Sequence, residues 1–271
     1  MRVEPFDAFA ESPELDLEAG AALVARDDNP SLTVADVAAA LDEVAEGCPE
    51  VGHLPIEKGV AILADHLYNV LGFRGDDQTY GDPRNSRIDE VIARRRGIPI
   101  TLAIVFLGLA KRRGVTARGV SFPGHFLVRV ERDDGGPPLV LDPFHGGRPM
   151  EHADLVRLLR RATGPSARLE PKHLEPASVR AILVRVLQNL KAAHLARGAW
   201  AHALVAVSRI VALMPREPSP LRERGMLQAQ LGAAAGARED LERYLTLAPD
   251  AGDVATVRQV LDRLAPAPSL N

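Results

Sequence analysis

The apolar residues of the first hundred positions recur with the spacing of amphipathic helices. In one stretch, Val37, Leu41 and Val44 follow each other at helical intervals and so fall on one face. The same kind of pattern predicts helices over three segments: 14–25, 33–46 and 56–71. Residues 72–86 are instead rich in Gly, Asp, Asn and Pro, a composition that favours a long ordered loop.

Two further helices follow this loop with a short break between them. The first begins near Ile88 and has Gly97 as its predicted C-terminal stop. Pro99 suits the first turn of the second helix, because a backbone N–H has no helical partner at that position. The second helix, 99–112, is apolar on nearly every side, so we expect it to be buried in the middle of its domain.

A group of strands is predicted after the second helix. Residues 115–122 and 126–130 alternate or run apolar, and a turn over 133–136 leads to a third strand at 139–141. A buried helix that packs against an antiparallel sheet is an α+β arrangement. The first part of the chain is therefore predicted to be an α+β domain.

The last part of the chain is predicted to be wholly helical, and its sequence repeats. Gly198 recurs as Gly232 and Pro215 recurs as Pro249. Both repeats are 34 residues apart, which is the period of tetratricopeptide repeats. Helices are expected over five segments: 178–197, 200–213, 219–231, 235–247 and a capping helix over 254–264. Two repeats and a cap form a short solenoid.

These patterns divide the chain into three parts. We predict an α+β domain over 1–160 and an all-α tetratricopeptide-repeat domain over 178–271. The segment between them, 161–177, contains several prolines and is predicted to be a linker.

Composition and charge exclude several classes of function. The 271 residues are 46% apolar and 25% charged, which is typical of a globular protein. A net charge of −3 gives no electrostatic basis for binding nucleic acid or an anionic membrane. The single cysteine, Cys48, excludes an internal disulfide and a cysteine-rich zinc cluster. No signal peptide or membrane-spanning apolar run is apparent, and we expect a cytoplasmic protein.

Four segments contain the most specific motifs, and their order resembles a known family. The segments are "GFRGDDQTYGDPRNS", "RRRGIPITL", "FPGHFLVR" and "LDPFHGG". Together they resemble the SirB-type branch of the transglutaminase-like, papain-like superfamily, bacterial proteins in which tetratricopeptide repeats follow a transglutaminase-like domain. The resemblance covers nearly the whole chain and implies the α+β fold class with a helical repeat domain.

The resemblance also matches residues of this chain to the active-site positions of the superfamily. Gly97 and Ala103 match its helix, His125 matches the histidine on one strand, and Asp142 matches the aspartate on the next. The nucleophilic cysteine of the superfamily corresponds to Pro99. Proline supplies no nucleophile, so the resemblance implies a domain that has lost the usual acyl-transfer chemistry.

Thr101 is the only hydroxyl in the first turn of this helix, and it permits an alternative. If its side chain faced His125, Thr101 could act as the nucleophile of a catalytic relay with His125 and Asp142. The protein would then be an amide hydrolase or acyl transferase. The structural interpretation, which we favour, is that Thr101 bonds a backbone group of the first turn. We therefore expect the Thr101 hydroxyl to lie beyond hydrogen-bond reach of the His125 ring.

Because Pro99 supplies no nucleophile, three different roles are considered for His125 and Asp142. They form a structural hydrogen bond between strands, they line a ligand pocket, or they still take part in catalysis. His145 and His152 lie nearby in sequence, but their spacing is a weak zinc signal, so neither a metal nor a cofactor is expected.

The function predicted from these residues is non-catalytic. We predict a transglutaminase-like pseudoenzyme that acts as a protein-binding or regulatory module, with a protein partner bound by the helical repeats. Neither nucleic acid nor membrane is an expected partner. The alternative is the enzyme that uses Thr101 with His125 and Asp142.

Overall fold

The computed structural model describes residues 6–132 and 135–264 of the chain. Its helices are α1 (Phe6–Glu11), α2 (Leu17–Ala25), α3 (Val34–Ala45), α4 (Ile56–Ala64), α5 (Ile88–Arg94), α6 (Pro99–Arg112), α7 (His152–Thr163), α8 (Val179–Ala196), α9 (Trp200–Leu213), α10 (Pro218–Gln230), α11 (Ala234–Leu247) and α12 (Val254–Leu264). Its strands are β1 (Arg74–Gly75), β2 (Arg96–Gly97), β3 (Ala117–Val120), β4 (Leu127–Val130), β5 (Leu139–Asp142) and β6 (Arg148–Pro149).

The described residues form two compact units. The first runs from Pro13 to Val186, and the second begins at Leu187 and also includes α1. Within the described ranges, no helix is both long and apolar enough to cross a bilayer. The predicted division into domains over 1–160 and 178–271, with a linker between them, stays a prediction.

Helix α6 is the centre of the first unit. Leu102, Val105 and Leu109 are fully buried, and helices α3 and α5 and strands β3 and β4 all pack against α6. Pro99 occupies its first turn, after Ile98 as the N-cap. The nearly uniform apolarity of this segment therefore predicted its position correctly.

Strands β3 to β6 form one antiparallel sheet in sequence order. Gly119 pairs with Val128, which in turn pairs with Leu141, so the register is continuous across three strands. The predicted α+β class is confirmed. Of the turn predicted over 133–136, residues 133 and 134 lie outside the described residues.

The end of α5 differs from the prediction. The helix stops at Arg94, and Arg95, not a glycine, takes the left-handed conformation with φ 55°. Gly97 lies in β2, which pairs in parallel with β1. A Cβ on Gly97 would lie 2.8 Å from the Thr101 hydroxyl oxygen, so the glycine permits a close approach to α6.

The polar segment 72–86, predicted to be a loop, contains short regular elements. It includes β1 and a 3₁₀ turn at Pro83–Ser86, and the preceding helix ends in a π-helical turn at Asp65–Val70. Asn85 is fully buried and donates from its amide to the Asp76 carboxylate and to the backbone carbonyl of Thr79. These bonds fix the segment beside α6.

Two features after β5 were not predicted from the sequence. Helix α7 places Leu155 and Leu159 against the sheet, and Leu169 and Leu174, from the predicted linker, pack on the same cluster. The Ala177 N–H also donates to the Gly119 carbonyl at 2.8 Å. Residues of the predicted linker are therefore part of the core of the first unit.

The second unit consists of helical hairpins. Helix α10 packs against α9 and α11, its neighbours in the sequence, and α12 packs on α11. Gly198 and Gly232, which repeat in the sequence, take the left-handed conformation in the turns before α9 and α11, with φ 69° and 78°. A Cβ on Gly225 would approach Leu241 within 2.9 Å, so a small residue is required where these helices meet. Each predicted repeat helix is present.

Candidate functional site

Asp142 is the centre of the candidate site. It ends β5 and caps the 3₁₀ turn Pro143–His145, whose backbone N–H groups donate to its carboxylate from Phe144 at 3.0 Å and from His145 at 3.4 Å. Its side chain is only 5% exposed. Helix α6 packs against this turn, so the carboxylate lies near the element that carries Pro99.

His125 binds one oxygen of this carboxylate. It lies in the loop between β3 and β4, directly after Gly124, which has φ 69°. Its Nε2 is 2.8 Å from Asp142 Oδ1, and its side chain is 10% exposed. Antiparallel pairing of β4 with β5 brings the two residues together.

His145 binds the other oxygen of the same carboxylate. Its Nδ1 is 2.7 Å from Asp142 Oδ2, and its ring stacks on that of His125 with the centroids 6.1 Å apart. Gly146 and Gly147 follow in the left-handed conformation and let the chain reverse. From the sequence, His145 is only a weak candidate zinc ligand, and the motif "HGG" at 145–147 indicates the tight turn that folds its ring back.

The environment of Asp142 favours its ionised form. Burial raises the pKa of this carboxyl, but the hydrogen bonds and charge of His125 and His145 outweigh burial and leave the pKa below its usual value. Tyr68 is a buried neighbour, and the pKa of its phenol is raised by burial and by the Asp142 charge. Its hydroxyl has no hydrogen-bond partner among the described residues.

Thr101 is not part of this group. Its hydroxyl is 2.7 Å from the Asn85 carbonyl oxygen and 3.1 Å from that of Ile98, and it accepts from the Ile98 N–H at 3.2 Å. Among the residues that the structure describes, no hydrogen bond joins Thr101 to His125. Thr101 therefore bonds the backbone around the first turn of α6, as the structural interpretation expects.

A cavity opens beside the Asp142 carboxylate. It has a volume of about 240 Å³, and its lining includes His145, Arg148, Arg157 and Arg161. Arg148 and Arg157 both pair with Asp154. The cavity is large enough for water or a small polar group and contains more basic than acidic side chains.

Two family models match the chain. Residues 34–188 match a transglutaminase-like superfamily model, and residues 190–262 match a tetratricopeptide-repeat model. The chain belongs to the transglutaminase-like superfamily. The prediction of a SirB-type transglutaminase-like domain with C-terminal tetratricopeptide repeats is confirmed.

Relatives of this kind occur in several bacteria. The chain is 39% identical to the UPF0162 protein of Xylella fastidiosa strain 9a5c over 93% of this chain and 90% of the relative. It is 37% identical to that of Pseudomonas aeruginosa, over 73% and 72%, and 34% identical to that of Vibrio cholerae, over 68% and 67%. A solved structure of menin covers 96% of this chain and 73% of its own at 10% identity and a TM-score of 0.41, a likeness too low to bear on function.

Proposed function

We propose that this protein is a transglutaminase-like pseudoenzyme whose tetratricopeptide repeats bind a protein partner, so that it acts as a binding or regulatory module. The observation that supports the loss of catalysis is Pro99. It begins α6 at the position that the superfamily pattern gives to the nucleophile, while His125 and Asp142 keep their hydrogen bond. A histidine and a carboxylate without an attacking atom cannot form an acyl-enzyme.

The other side chains that could attack are poorly suited to do so. Burial raises the pKa of the Cys48 thiol, so little thiolate is present at neutral pH. The Thr101 hydroxyl is buried and bonded to the backbone. We infer a cytoplasmic location, because a single free thiol is typical of a reducing compartment.

The loss of catalysis is tested with a reactive acyl probe. The full chain is incubated with an acyl phosphate or a peptide thioester, and mass spectrometry locates any adduct. We expect no acylation of Thr101 that depends on His125. An adduct on Thr101 that disappears in His125→Ala would instead establish the alternative function, an acyl transferase or amide hydrolase.

The repeats offer exposed apolar side chains for a protein partner. Trp200, Leu231 and Leu247 are each more than 40% exposed. The triple variant of these residues to serine is compared with a triple serine variant of Val34, Val70 and Tyr80, which are exposed in the first unit. Each tagged full chain is expressed in the native cell, and co-purifying proteins are identified.

The proposal expects the repeat variant to lose a partner that the wild type and the first-unit variant retain. Circular dichroism of both variants checks that the helices persist. Retention of every partner by the repeat variant would contradict binding through these side chains, whereas loss only in the first-unit variant would place the partner on the first unit.

A further inference from the structure

Three metal-ligating atoms converge at the candidate site. One imidazole nitrogen each from His125 and His145 and one carboxylate oxygen of Asp142 all lie within 4.8 Å of one another. We propose that His125, Asp142 and His145 bind a divalent transition metal, with Zn²⁺ as the best-suited ion. This inference does not rest on the proposed pseudoenzyme function, because metal binding requires neither a thiol nor a protein partner.

The donor set suits the proposed ion. Two imidazole nitrogens and one carboxylate oxygen are the three protein ligands of many zinc sites that leave one position open. The same set also binds Fe²⁺ in other proteins, so the donors alone define a divalent transition metal and disfavour Ca²⁺ and Mg²⁺, which prefer oxygen. No cysteine is required.

The hydrogen-bonded group must rearrange to hold a metal ion. Each imidazole nitrogen now lies 2.7 or 2.8 Å from an Asp142 oxygen, as a hydrogen-bond donor. Tetrahedral zinc with bonds of about 2.0–2.1 Å separates its ligands by about 3.3 Å. Each imidazole nitrogen must therefore move about half an ångström away from its Asp142 oxygen and turn a lone pair toward the metal, while the ligand atoms, which now lie within 4.8 Å of one another, all take this spacing.

The protein holds the acidic ligand in place before a metal binds. Backbone N–H groups of Phe144 and His145 donate to Asp142, and the Gly147 N–H donates to its backbone carbonyl at 2.8 Å. Such hydrogen bonds from outside the ligand set orient metal ligands and increase their affinity.

The site is accessible from solvent. The His145 side chain is 61% exposed, and Asp142 and His145 line the cavity of about 240 Å³. The basic residues of this cavity are partly neutralised, because Arg148 and Arg157 share Asp154. A metal ion can therefore reach Asp142 and His145 from solvent through this cavity.

Calorimetric titration of the full chain tests the inference. The protein is stripped with EDTA, dialysed and titrated with ZnCl₂, and Co²⁺ absorption spectra report coordination independently. We expect one equivalent of Zn²⁺ to bind. Loss of a direct ligand in His145→Ala or Asp142→Asn should weaken binding by about 100-fold or more, since even the loss of an outer hydrogen-bond partner costs about 10–100-fold.

His152→Ala is the matched control, because His152 is also exposed but lies outside the cluster. It should bind Zn²⁺ like the wild type. Circular dichroism of His145→Ala, an exposed position, separates ligand loss from misfolding. Failure of the wild type to bind Zn²⁺, or equal affinity in wild type and a folded His145→Ala, would overturn the proposal.

Discussion

The Thr101 hydroxyl donates to the backbone carbonyl of Asn85, with 2.7 Å between the two oxygens. Thr101 lies in the first turn of α6 and is 1% exposed, and Asn85 lies near the end of the polar segment 72–86, which runs beside that helix. This hydrogen bond gives the only hydroxyl of the turn a structural role. It joins a loop to the helix that occupies the centre of the first unit.

We predict that Thr101→Val destabilises the protein by about 1–3 kcal/mol. Valine has nearly the same shape as threonine but leaves the buried Asn85 carbonyl without this donor. Urea denaturation measures the difference in the free energy of unfolding, and Thr101→Ser, which keeps the hydroxyl, should lose less. Equal stability of Thr101→Val and wild type would mean that this bond has no structural role.

We predict that Pro99→Cys creates an unusually reactive thiol. A cysteine at a helix N-terminus near an imidazole has a lowered pKa, so more thiolate is present at neutral pH. The variant is made in a Cys48→Ala background, and the rate of iodoacetamide alkylation is measured against pH. The rate should fall when His125→Ala is added; an ordinary thiol profile that His125→Ala does not change would contradict the residual active-site arrangement.

Gly146 and Gly147 provide a matched pair for testing the turn that positions His145. Both have positive φ, but a Cβ on Gly147 would lie 2.4 Å from a Tyr68 ring carbon, whereas Gly146 has open space. We predict a cost of about 1 kcal/mol for Gly146→Ala and of about 2–5 kcal/mol for Gly147→Ala, which adds steric overlap. Thermal unfolding of both variants measures the difference. Equal costs would show that the Tyr68 ring moves away freely.

Asp76 should make the first unit sensitive to acid. Its pKa is lowered from the usual 3.8, chiefly by the Thr79 side-chain hydrogen bond, with burial opposing and Asn85 and Arg94 contributing. A lowered folded-state pKa means that the stabilisation is complete above pH 3.8 and is lost as the pH falls through the lower folded value. Asp76→Asn should therefore be less stable than wild type at neutral pH, and this deficit should shrink in acid.

The control for this prediction is Asp77→Asn, the exposed neighbour. Its stability should stay close to that of the wild type over the whole pH range. Chemical denaturation at several pH values compares the three proteins. A deficit for Asp76→Asn that does not change with pH would show that Asp76 acts through shape alone.

The features that the sequence predicted well depend on local patterns. Helix α6 follows from its apolar composition, and the repeat helices follow from the spacing of Gly198 and Gly232. The pairing of His125 with Asp142 was anticipated from a family resemblance, not from spacing. The sequence signals were therefore strongest where a residue's neighbours along the chain determine its conformation.

The features that the sequence missed depend on tertiary contacts. The sequence predicts Gly97 as a helix stop, but the residue lies in β2, where the absence of a Cβ permits the close approach to Thr101. His145 joins the site because Gly146 and Gly147 reverse the chain, and the polar segment 72–86 is held by the buried hydrogen bonds of Asn85. Hydrophobic periodicity does not predict these arrangements, because it indicates which face of an element is buried and not which residue of another element a side chain contacts.

The last prediction concerns the repeats. Arg224 donates twice to the Asp240 carboxylate, at 2.6 and 2.7 Å, and the Asp240 side chain is only 4% exposed. Asp240→Ala should cost about 3 kcal/mol, because it leaves a partly buried guanidinium without its partner. Glu242→Ala is the control: its pair with Arg238 is exposed and 3.7 Å apart, and exposed helical pairs contribute about 0.3–0.5 kcal/mol.

Urea denaturation followed by circular dichroism measures both costs, and the double variant with Arg224→Ala isolates the pair. If the ion pair stabilises the hairpin of α10 and α11, Arg224→Ala should add little to Asp240→Ala, because the interaction is already lost. Additive costs would mean that the two residues act separately. The hairpin would then depend on the packing of Gly225 against Leu241, where a small residue lets the helices approach.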